Sequence, residues 1–327
     1  MSSRILITGA SGFIGTNLLE ELYNKGYEIL NIDICSPKIK ERNKVWKNVD
    51  ITDYDAFEKA VVDFDPEYIV HLAARTDLDG KTLDDYSANT TGVENLMKIT
   101  HKISNLKKIV IASSKFVTRN GYKIKDQFDY CPHTVYGESK VQTEKNVWAD
   151  KPKCDWCIIR PTSIWGPWFG VPYRNFFDMV MKRMYFHIGH IKCHKTYGYI
   201  GNAVYQIEQL LFNETPDESN KVFYIGDEPA YEINEWADEI ANELGFKVPT
   251  MPVWFVKCLA KFGDFLGLFG IHFPMQSFRF GNMTNDGVND MTNTYKIAPE
   301  MLYTRLEGTK ITLEWMRNHE GVKHNKD

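Results

Sequence analysis

The chain has 327 residues, of which 43% are hydrophobic and 25% are charged, and its formal net charge is −4 at pH 7. This is an ordinary globular composition, long enough for one large domain and a smaller one, and its acidic balance predicts no nucleic-acid partner. Six scattered cysteines in a chain of this length do not indicate a disulfide scaffold. The first residues enter a predicted strand at once, which leaves no room for a signal segment, so the expected location is the cytoplasm.

The first predicted elements are a short apolar strand at residues 5–7, a glycine-rich turn and a helix-periodic segment. Gly9, Gly12 and Gly15 follow one another at three-residue spacing, which differs from the GxGxxG of most dinucleotide-binding folds. Glycine permits a tight turn and close backbone approach, and the helix start offers unpaired N–H groups to a pyrophosphate. The cofactor contacts predicted in this loop are Gly9, Ser11, Gly12, Phe13, Ile14 and Gly15.

A second apolar run, residues 29–33, ends at Asp33. A carboxylate in that position can accept hydrogen bonds from both hydroxyls of an adenosine ribose and would repel a 2′-phosphate. The expected cofactor is therefore NAD rather than NADP. The alternative interpretation of Asp33 is a solvated carboxylate at the end of a strand.

The next strand signal, residues 47–53, ends at Asp53, which predicts the N-terminal cap of a helix over residues 54–64. Asp50 and Ile51 in this segment would then lie near the adenine.

A further buried strand is predicted over residues 68–74, and its small terminal residues would let the backbone approach the pyrophosphate. The predicted contacts there are Leu72, Ala73 and Ala74. His71 lies within this run, where a lone histidine is more often a satisfied core residue than a ligand, so no chemistry is assigned to it. A long helix is expected over residues 83–103, carrying Asn89.

Strand and helix patterns alternate through the first half of the chain, which predicts an α/β fold with a doubly wound parallel sheet. In that architecture ligands bind at the carboxyl ends of the strands. One strand, residues 107–114, ends at Ser113 and Ser114, and another is predicted over residues 155–162. Both ends should therefore face the ligand.

Tyr136 and Lys140 are four residues apart at the start of a predicted helix, so they share one face. A lysine ammonium one turn from a tyrosine favours the phenolate, and the pair can then move a hydroxyl proton. Ser114 at the neighbouring strand end can hydrogen-bond the same substrate oxygen while a nicotinamide exchanges hydride with the carbon. A lone Tyr-x-x-x-Lys pattern usually marks a surface helix, but with the glycine loop it predicts alcohol oxidation or ketone reduction.

In these motifs the sequence resembles the short-chain dehydrogenase/reductase superfamily, in its extended branch of nucleotide-sugar epimerases, dehydratases and reductases. The resemblance covers nearly the whole chain and rests on the glycine loop, Asp33, the strand end at 71–74, Asn89, Ser113 with Ser114, Tyr136 with Lys140, Arg160 with Pro161, and Gly166 with Pro167. It implies Ser114, Tyr136 and Lys140 as the catalytic trio, with Lys140 also holding the nicotinamide ribose. It further implies cofactor contacts at Asn89 and Pro161.

The resemblance also implies two domains. An NAD-binding Rossmann domain is expected over residues 1–165, with segments near 195–228 returning to it, and a smaller, mostly helical substrate domain over residues 166–327. Family members often grip the nucleotide diphosphate with an asparagine at the position of Ser163 and an arginine near Lys195, and both are replaced here. Lys195 can supply a positive charge, but not the bidentate hydrogen bonding of an arginine guanidinium. The expected substrate contacts are Ser114, Lys115, Ser163, Lys195 and Arg279.

The residues after Ser114 reduce the number of possible reactions. Relatives that dehydrate sugars carry an acidic pair directly after the strand-end serine or threonine, whereas Lys115 and Phe116 stand here. A 4,6-dehydratase is therefore disfavoured. The family's usual Val-Tyr-Gly beside this strand reads Val-Thr-Arg-Asn-Gly over residues 117–121, which indicates a changed loop against the sugar.

The leading interpretation is an NAD-dependent nucleotide-sugar epimerase that acts through a transient keto sugar, with Tyr136 as the base. The alternatives are a nucleotide keto-sugar reductase that uses free NAD(P)H and a non-catalytic dinucleotide-sensing protein. Because relatives usually pair through helices that flank the sheet, a homodimer is expected. The nucleotide, the sugar and the altered carbon stay open.

Several cysteines and histidines have a spacing that resembles metal, redox or acid–base sites. Cys154 and Cys157 have zinc or redox spacing, but the pattern matches no standard set of zinc ligands, so no metal is predicted. The neighbouring candidates are His187, His190, Cys193 and His194. Cys131, His133 and His187 could serve as the extra acid and base of some epimerising relatives, although structural roles are favoured.

The most apolar stretch, residues 251–274, is interrupted by charged residues and glycines and does not predict a membrane-spanning helix. Its apolar positions approximately fit an amphipathic helix that faces the core or a partner, whereas attachment to a membrane surface is disfavoured. These positions are Val253, Val256, Leu259, Ala260, Phe265 and Leu268. No membrane partner is predicted.

Overall fold

The computed structural model describes residues 2–119, 121–215, 218–271 and 273–320. The position of residues 321–327 at the end of the sequence predicts a frayed tail, and these residues lie outside the described ones. The chain forms two compact units. The first contains Met1–Ile164, Ile200–Gly226 and Asp290–Leu302, and the second contains Trp165–Tyr199, Asp227–Asn289 and Tyr303–Asp327. The sequence did not predict that residues 290–302 join the first unit.

The strands are short, and those of five residues or more lie in the first half of the chain. They are β1 (Arg4–Thr8), β2 (Glu28–Asp33), β3 (Trp46–Asn48), β4 (Tyr68–His71), β5 (Lys108–Ala112), β6 (Asp155–Pro161), β7 (Ser163–Trp165), β8 (His187–Ile188), β9 (His194–Lys195), β10 (Tyr197–Tyr199), β11 (Val222–Ile225), β12 (Tyr231–Glu232) and β13 (Thr250–Met251).

The helices alternate with these strands and dominate the second half of the chain. They are α1 (Phe13–Asn24), α2 (Tyr54–Phe64), α3 (Thr91–Thr100), α4 (Val135–Ala149), α5 (Arg174–Met181), α6 (Ile200–Phe212), α7 (Ile233–Glu243), α8 (Val253–Gly267), α9 (Ser277–Thr284), α10 (Thr292–Ile297) and α11 (Arg305–Glu320).

The first unit is built on a seven-stranded sheet in the order β11-β6-β5-β4-β1-β2-β3, with every neighbouring pair parallel. Helices cover a parallel sheet on both faces, which is why its strands are continuous apolar runs. In β1, for example, Ile5, Leu6 and Ile7 are all fully buried. The predicted Rossmann-type fold is confirmed. Its strand order reverses between β1 and β4, and ligands of such sheets bind at that point.

The local predictions around the sheet are mostly confirmed. Helix α2 has the predicted bounds, and the Asp53 carboxylate caps it by accepting a hydrogen bond from the Ala56 N–H at 3.1 Å. The long helix predicted over residues 83–103 is wrong, because a 3₁₀ turn, Leu83–Tyr86, forms first and α3 begins only at Thr91. That turn begins with its own capping box between Thr82 and Asp85 and is separate from α3.

The second unit is mostly helical, as predicted, and its small strands form two-stranded pairs, β9 with β12 and β8 with β13. Its core is aromatic. Trp165 and Trp236 are both buried with their rings 4.8 Å apart, and Phe177 packs against both. No helix among the described residues is long and apolar enough to cross a membrane.

Helix α8 forms where the apolar stretch predicts an amphipathic helix, and four of the six predicted inward positions pack in a hydrophobic cluster, whereas the other two do not. Val256 and Ala260 are buried, whereas Phe265 is 55% exposed and Leu268, which caps the helix, is 81% exposed. Apolar side chains lie on both the buried and the exposed side of this helix, so periodicity alone could not identify the buried face.

Candidate active site

The glycine loop is a tight turn packed against the segment that follows β4. Gly9 has φ +75°, and a Cβ added there would lie 2.5 Å from the backbone nitrogen of Ala73. A Cβ at Gly15 would lie 2.2 Å from the carbonyl oxygen of Gly9. Gly12 is the N-cap residue of helix α1 and has no side chain with which to cap the first N–H groups. Such a helix start attracts an anionic group.

Asp33 lies beside this loop at the carboxyl end of β2. Its carboxylate accepts hydrogen bonds from the N–H groups of Ser11 at 3.0 Å and Cys35 at 2.9 Å. The Ser11 hydroxyl donates to the Cys35 carbonyl at 2.7 Å, so the loop and the strand end are held together. The carboxylate is partly exposed. Its place beside the loop fits the ribose contact, which stays a prediction.

Asp50 and Ile51 follow β3. The Asp50 carboxylate accepts hydrogen bonds from the N–H and hydroxyl of Thr52, both at 2.8 Å, and is exposed. Ile51 is buried in the main core, where a Cβ on Gly92 would approach its side chain to 2.5 Å. The predicted adenine contacts therefore consist of one exposed carboxylate and one core side chain.

Strand β4 ends at His71, so Leu72, Ala73 and Ala74 follow the strand rather than belong to it. The Thr8 hydroxyl accepts a hydrogen bond from the Ala73 N–H at 3.2 Å and lies 2.7 Å from His71 Nδ1. Burial, with the charge of Lys140, lowers the pKa of His71 to about 3. His71 is therefore neutral, and its Nε2 has no hydrogen-bond partner among the described residues.

The three predicted catalytic residues meet at the carboxyl end of β5. Ser114 directly precedes a short 3₁₀ turn, Lys115–Val117, and its hydroxyl oxygen accepts a hydrogen bond from the Phe116 N–H at 3.2 Å. Tyr136 lies in the first turn of α4, with its ring 5.7 Å from that of Phe116 in an edge contact. A Cβ on Gly137 would lie 2.4 Å from the Phe116 carbonyl oxygen, so glycine permits this close approach.

Lys140 lies one turn beyond Tyr136 and is almost fully buried. Its Nζ donates a hydrogen bond to the Ala112 carbonyl, the last residue of β5, at 2.9 Å. Burial lowers the pKa of Lys140 to about 8, and the nearby Glu144 carboxylate opposes that shift. The ammonium is thus held at the strand end by a contact that does not use a countercharge.

A buried ion pair that the sequence did not predict, between Glu144 and Arg160, supports this arrangement. Glu144, one turn after Lys140, accepts hydrogen bonds from the Ser113 hydroxyl at 2.5 Å and from Arg160 at 2.8 and 2.7 Å. Glu144 and Arg160 are both fully buried. The four-residue spacing of Tyr136, Lys140 and Glu144 places all three on one face of α4 and could have indicated this role.

Asn89 precedes α3 rather than lying in a helix. Its side-chain amide nitrogen donates to the Ser139 hydroxyl at 2.9 Å and to the Arg75 carbonyl at 3.0 Å, and its oxygen accepts from the Arg75 N–H at 2.9 Å. These bonds tie the segment after β4 to α4. The structure therefore gives this side chain a positioning role next to the trio.

The residues predicted to contact substrate are divided between the units. In the first, Lys115 Nζ donates a hydrogen bond to the buried Ser163 hydroxyl at 2.7 Å, shortly after Pro161 at the end of β6. In the second, Lys195 is a partly buried residue of β9, and Arg279 is exposed on α9, where it donates to the Pro274 carbonyl at 2.8 Å.

The histidine and cysteine candidates have structural surroundings. His187 Nδ1 lies 2.9 Å from Asn234 Oδ1 and its Nε2 lies 2.9 Å from Asp238 Oδ1. The ring of His133 stacks on Phe116 at 5.8 Å, and burial raises the pKa of the Cys157 thiol to about 12. Among the described residues, no three or more His, Cys, Asp or Glu side chains are grouped so that they could hold a metal ion.

Comparison with known proteins identifies the family of the chain. The family described as "NAD dependent epimerase/dehydratase family" matches residues 5–204, which is more than half of the chain. The chain is 27% identical to the N-acetyl-alpha-D-glucosaminyl-diphospho-ditrans,octacis-undecaprenol 4-epimerase of Escherichia coli O157:H7, over 77% of this chain and 75% of that protein. It is 28% identical to the UDP-glucose 4-epimerase of Vibrio cholerae, over 82% of this chain and 83% of that protein.

A relative of a different class is also present. The 3 beta-hydroxysteroid dehydrogenase/Delta 5-->4-isomerase of Mycobacterium tuberculosis (strain CDC 1551 / Oshkosh) is 27% identical, over 76% of this chain and 72% of that protein. Among solved structures, the Bordetella bronchiseptica enzyme WbmG in complex with NAD superposes with a TM-score of 0.73 at 20% identity, over 98% of this chain and 95% of that chain. This likeness shows a shared fold.

Proposed function

The chain belongs to the NAD-dependent epimerase/dehydratase family, and from this premise we propose that it is a nucleotide-sugar epimerase. It oxidises one sugar hydroxyl to a transient ketone and restores the alcohol with the opposite configuration. The observation that carries this proposal is the convergence of Ser114, Tyr136 and Lys140 at the carboxyl end of β5.

The residues of the first unit fit NAD. The start of α1 at Gly12 suits a pyrophosphate, and the Asp33 carboxylate beside it suits a ribose with two free hydroxyls. Bound NAD supplies the hydride-transfer chemistry. Lys140 at the neighbouring strand end would donate to the nicotinamide ribose through its ammonium group.

The chain's own side chains handle the proton. Tyr136, as the phenolate, takes the proton of the sugar hydroxyl while hydride leaves the carbon that bears it. The Lys140 ammonium stabilises the phenolate, and the Ser114 hydroxyl donates to the same sugar oxygen. In the return step Tyr136 gives the proton back to that oxygen, so proton and hydride are both conserved over the cycle.

Lys115 supports an epimerase over a dehydratase. It stands directly after Ser114, and its ammonium donates a hydrogen bond to the Ser163 hydroxyl at 2.7 Å. Eliminating water needs an acid and a base beside the sugar in addition to Tyr136. A charged lysine can hold an anionic substrate group in this place, but it does not provide the second carboxylate of that reaction.

We also propose a homodimer that forms through helices flanking the sheet, including α4, and a location in the cytoplasm. Light scattering of the purified protein tests the first proposal, since a dimer has twice the mass of the 37.9 kDa chain. Cell fractionation tests the second.

The functional assay compares three classes of substrate and follows the oxidation state of the nicotinamide cofactor in the same reactions. Purified protein is incubated with UDP-sugars, with N-acetylglucosaminyl-diphospho-undecaprenol and with a 3β-hydroxysteroid, because the relatives act on these three classes. Products are separated by chromatography while the absorbance of reduced nicotinamide is followed. The proposal predicts a changed sugar configuration on a UDP-sugar without net change in nicotinamide.

The other outcomes are distinct. Net oxidation of reduced nicotinamide with a keto-sugar would instead identify a reductase. Turnover of the steroid alone, or of the undecaprenol-linked sugar alone, would contradict the proposed substrate class. Tight NAD binding with no turnover of any compound would favour the dinucleotide-sensing alternative.

A further inference from the structure

Helix α8 of the second unit presents an apolar stripe to solvent, which we define as Trp254, Phe262, Phe265 and Phe269. The spacing places these four side chains on one side of the helix and its C-terminal extension. Trp254 and Phe269 are both 67% exposed. Further exposed apolar side chains border the stripe, namely Leu268, Ile271 and, from α9, Phe278. Patches of this kind mark interaction surfaces.

The opposite side of α8 is fixed within its own unit. Val256 and Ala260 are buried in a cluster with Ile188 and Met275. A Cβ on Gly263 would lie 1.9 Å from the Met275 carbonyl oxygen, so the backbones are in close contact there. Rotating the helix to hide the stripe would break this packing, and the stripe therefore stays outward.

The charges around the stripe are mainly positive. Residues 253–284 contain Lys257, Lys261 and Arg279, all exposed, against one carboxylate, Asp264. That carboxylate accepts hydrogen bonds from the N–H and the hydroxyl of Ser277. The chain as a whole has a formal net charge of −4, so this segment is positive within an acidic chain.

We propose that this face docks on an anionic lipid bilayer, with the stripe at the boundary of headgroups and acyl chains and Lys257 and Lys261 against the lipid phosphates. Aromatic residues on the outward side of a helix with lysines beside them are the pattern of helices that lie in a bilayer interface. Lysine stems can lie along apolar surface while their ammonium groups reach the phosphates.

Charge complementarity favours a bilayer over a second copy of the chain. A twofold interface buries the same patch on both subunits. Two such patches would bring the lysines of one copy close to those of the other. An anionic lipid surface instead attracts each lysine. The stripe, Lys257 and Lys261 include none of the residues assigned to NAD binding or to the chemical step. Arg279 on this face is also an expected substrate contact, and it is therefore left unchanged in the tests that follow.

Sedimentation with lipid vesicles tests this proposal on the full chain. We expect co-sedimentation with phosphatidylcholine vesicles that contain phosphatidylglycerol, and at least tenfold weaker binding to pure phosphatidylcholine. The double variant Phe265→Ser/Phe269→Ser should lose at least tenfold in binding to the anionic vesicles. The matched control is Phe128→Ser, which changes a phenylalanine that is 50% exposed in the first unit and should bind as wild type does.

A second readout uses Cys258, an exposed residue of α8 that lies one turn from both Trp254 and Phe262. An environment-sensitive dye on Cys258 should shift to shorter wavelength when anionic vesicles are added. The same dye on Cys35, an exposed cysteine of the first unit, should not shift. Circular dichroism of each variant shows whether the fold is retained.

The charge-reversing substitutions Lys257→Glu and Lys261→Glu should each weaken binding to anionic vesicles severalfold. Added salt should also weaken this binding. Equal vesicle binding by the stripe variant and wild type, or an unchanged Cys258 dye, would overturn the proposal. So would loss of dimer mass in the stripe variant without any vesicle binding by wild type, because the stripe would then be a contact between copies.

Discussion

Lys140 Nζ donates a hydrogen bond to the carbonyl oxygen of Ala112 at 2.9 Å, which joins helix α4 to the last residue of β5. Folding places this ammonium in a buried site without a directly bonded carboxylate. Its pKa consequently falls from 10.5 to about 8, mainly because burial penalises the charged form. The electrostatic state of the proposed catalytic site therefore changes just above neutral pH.

This pKa predicts how NAD binding depends on pH. Below about pH 8 Lys140 is charged in the folded protein and can donate to the nicotinamide ribose, and above it the charge is lost. The affinity for NAD should therefore fall as pH rises from 7 to 9, as measured by titration calorimetry. In Lys140→Arg, whose guanidinium keeps its proton, the affinity should vary much less over this range. A wild-type affinity that stays constant would contradict the prediction.

The same shift has a consequence for stability. Between pH 8 and 10.5 the unfolded chain holds a proton on Lys140 that the folded chain lacks, so this group makes unfolding less favourable as pH rises through that window. Lys140→Met should remove this contribution, so the free energy of unfolding of wild type should rise relative to that of Lys140→Met from pH 8 to pH 10. Urea denaturation at both values measures it, and a constant difference would rule it out.

Asp33 is predicted to select NAD. In Asp33→Asn an oxygen remains to accept a hydrogen bond from Ser11 or Cys35, while the charge that repels a 2′-phosphate is removed. We expect weaker NAD binding and stronger NADP binding, so that the preference between them changes by tenfold or more. Asp63→Asn on the exposed side of α2 is the control. An unchanged preference for NAD over NADP would show that a residue other than Asp33 distinguishes the two cofactors.

Breaking the buried ion pair should destabilise the first unit. Glu144→Ala leaves the Arg160 guanidinium buried without its carboxylate, which costs about 3 kcal/mol or more in free energy of unfolding. Glu138→Ala, at an exposed position of the same helix, should change stability by less than about 0.5 kcal/mol. Thermal unfolding of the two variants measures the difference, and equal effects would show that the pair is not needed for stability.

Lys115 is predicted to contact the substrate rather than to transfer a proton. Lys115→Met removes a positive charge next to Ser114 and should raise KM at least fivefold while kcat changes by less. Lys125→Met, at an exposed position in the loop between β5 and α4, should leave both values unchanged. A large fall in kcat with constant KM would instead give Lys115 a part in the chemical step.

The alternating strands and helices of the first unit could be predicted because buried parallel strands are continuous apolar runs with glycines and caps between them. The late start of the helix predicted at 83–103 could not, since Tyr86 is buried in a short turn where its ring packs against that of Tyr136, which is distant in sequence. The bond between Glu144 and Arg160 likewise joins two separate elements. Periodicity was only partly right at α8, because apolar side chains lie on both the buried and the exposed side of that helix.

Turnover by Tyr136→Phe tests the central claim most directly. The phenolate is the group that takes and returns the sugar proton, so this variant should equilibrate the epimers of an accepted nucleotide sugar at least about 100-fold more slowly than wild type. Tyr27→Phe, which keeps the ring that stacks on Phe212 at 5.2 Å, should be as active as wild type. Wild-type turnover by Tyr136→Phe would contradict the account.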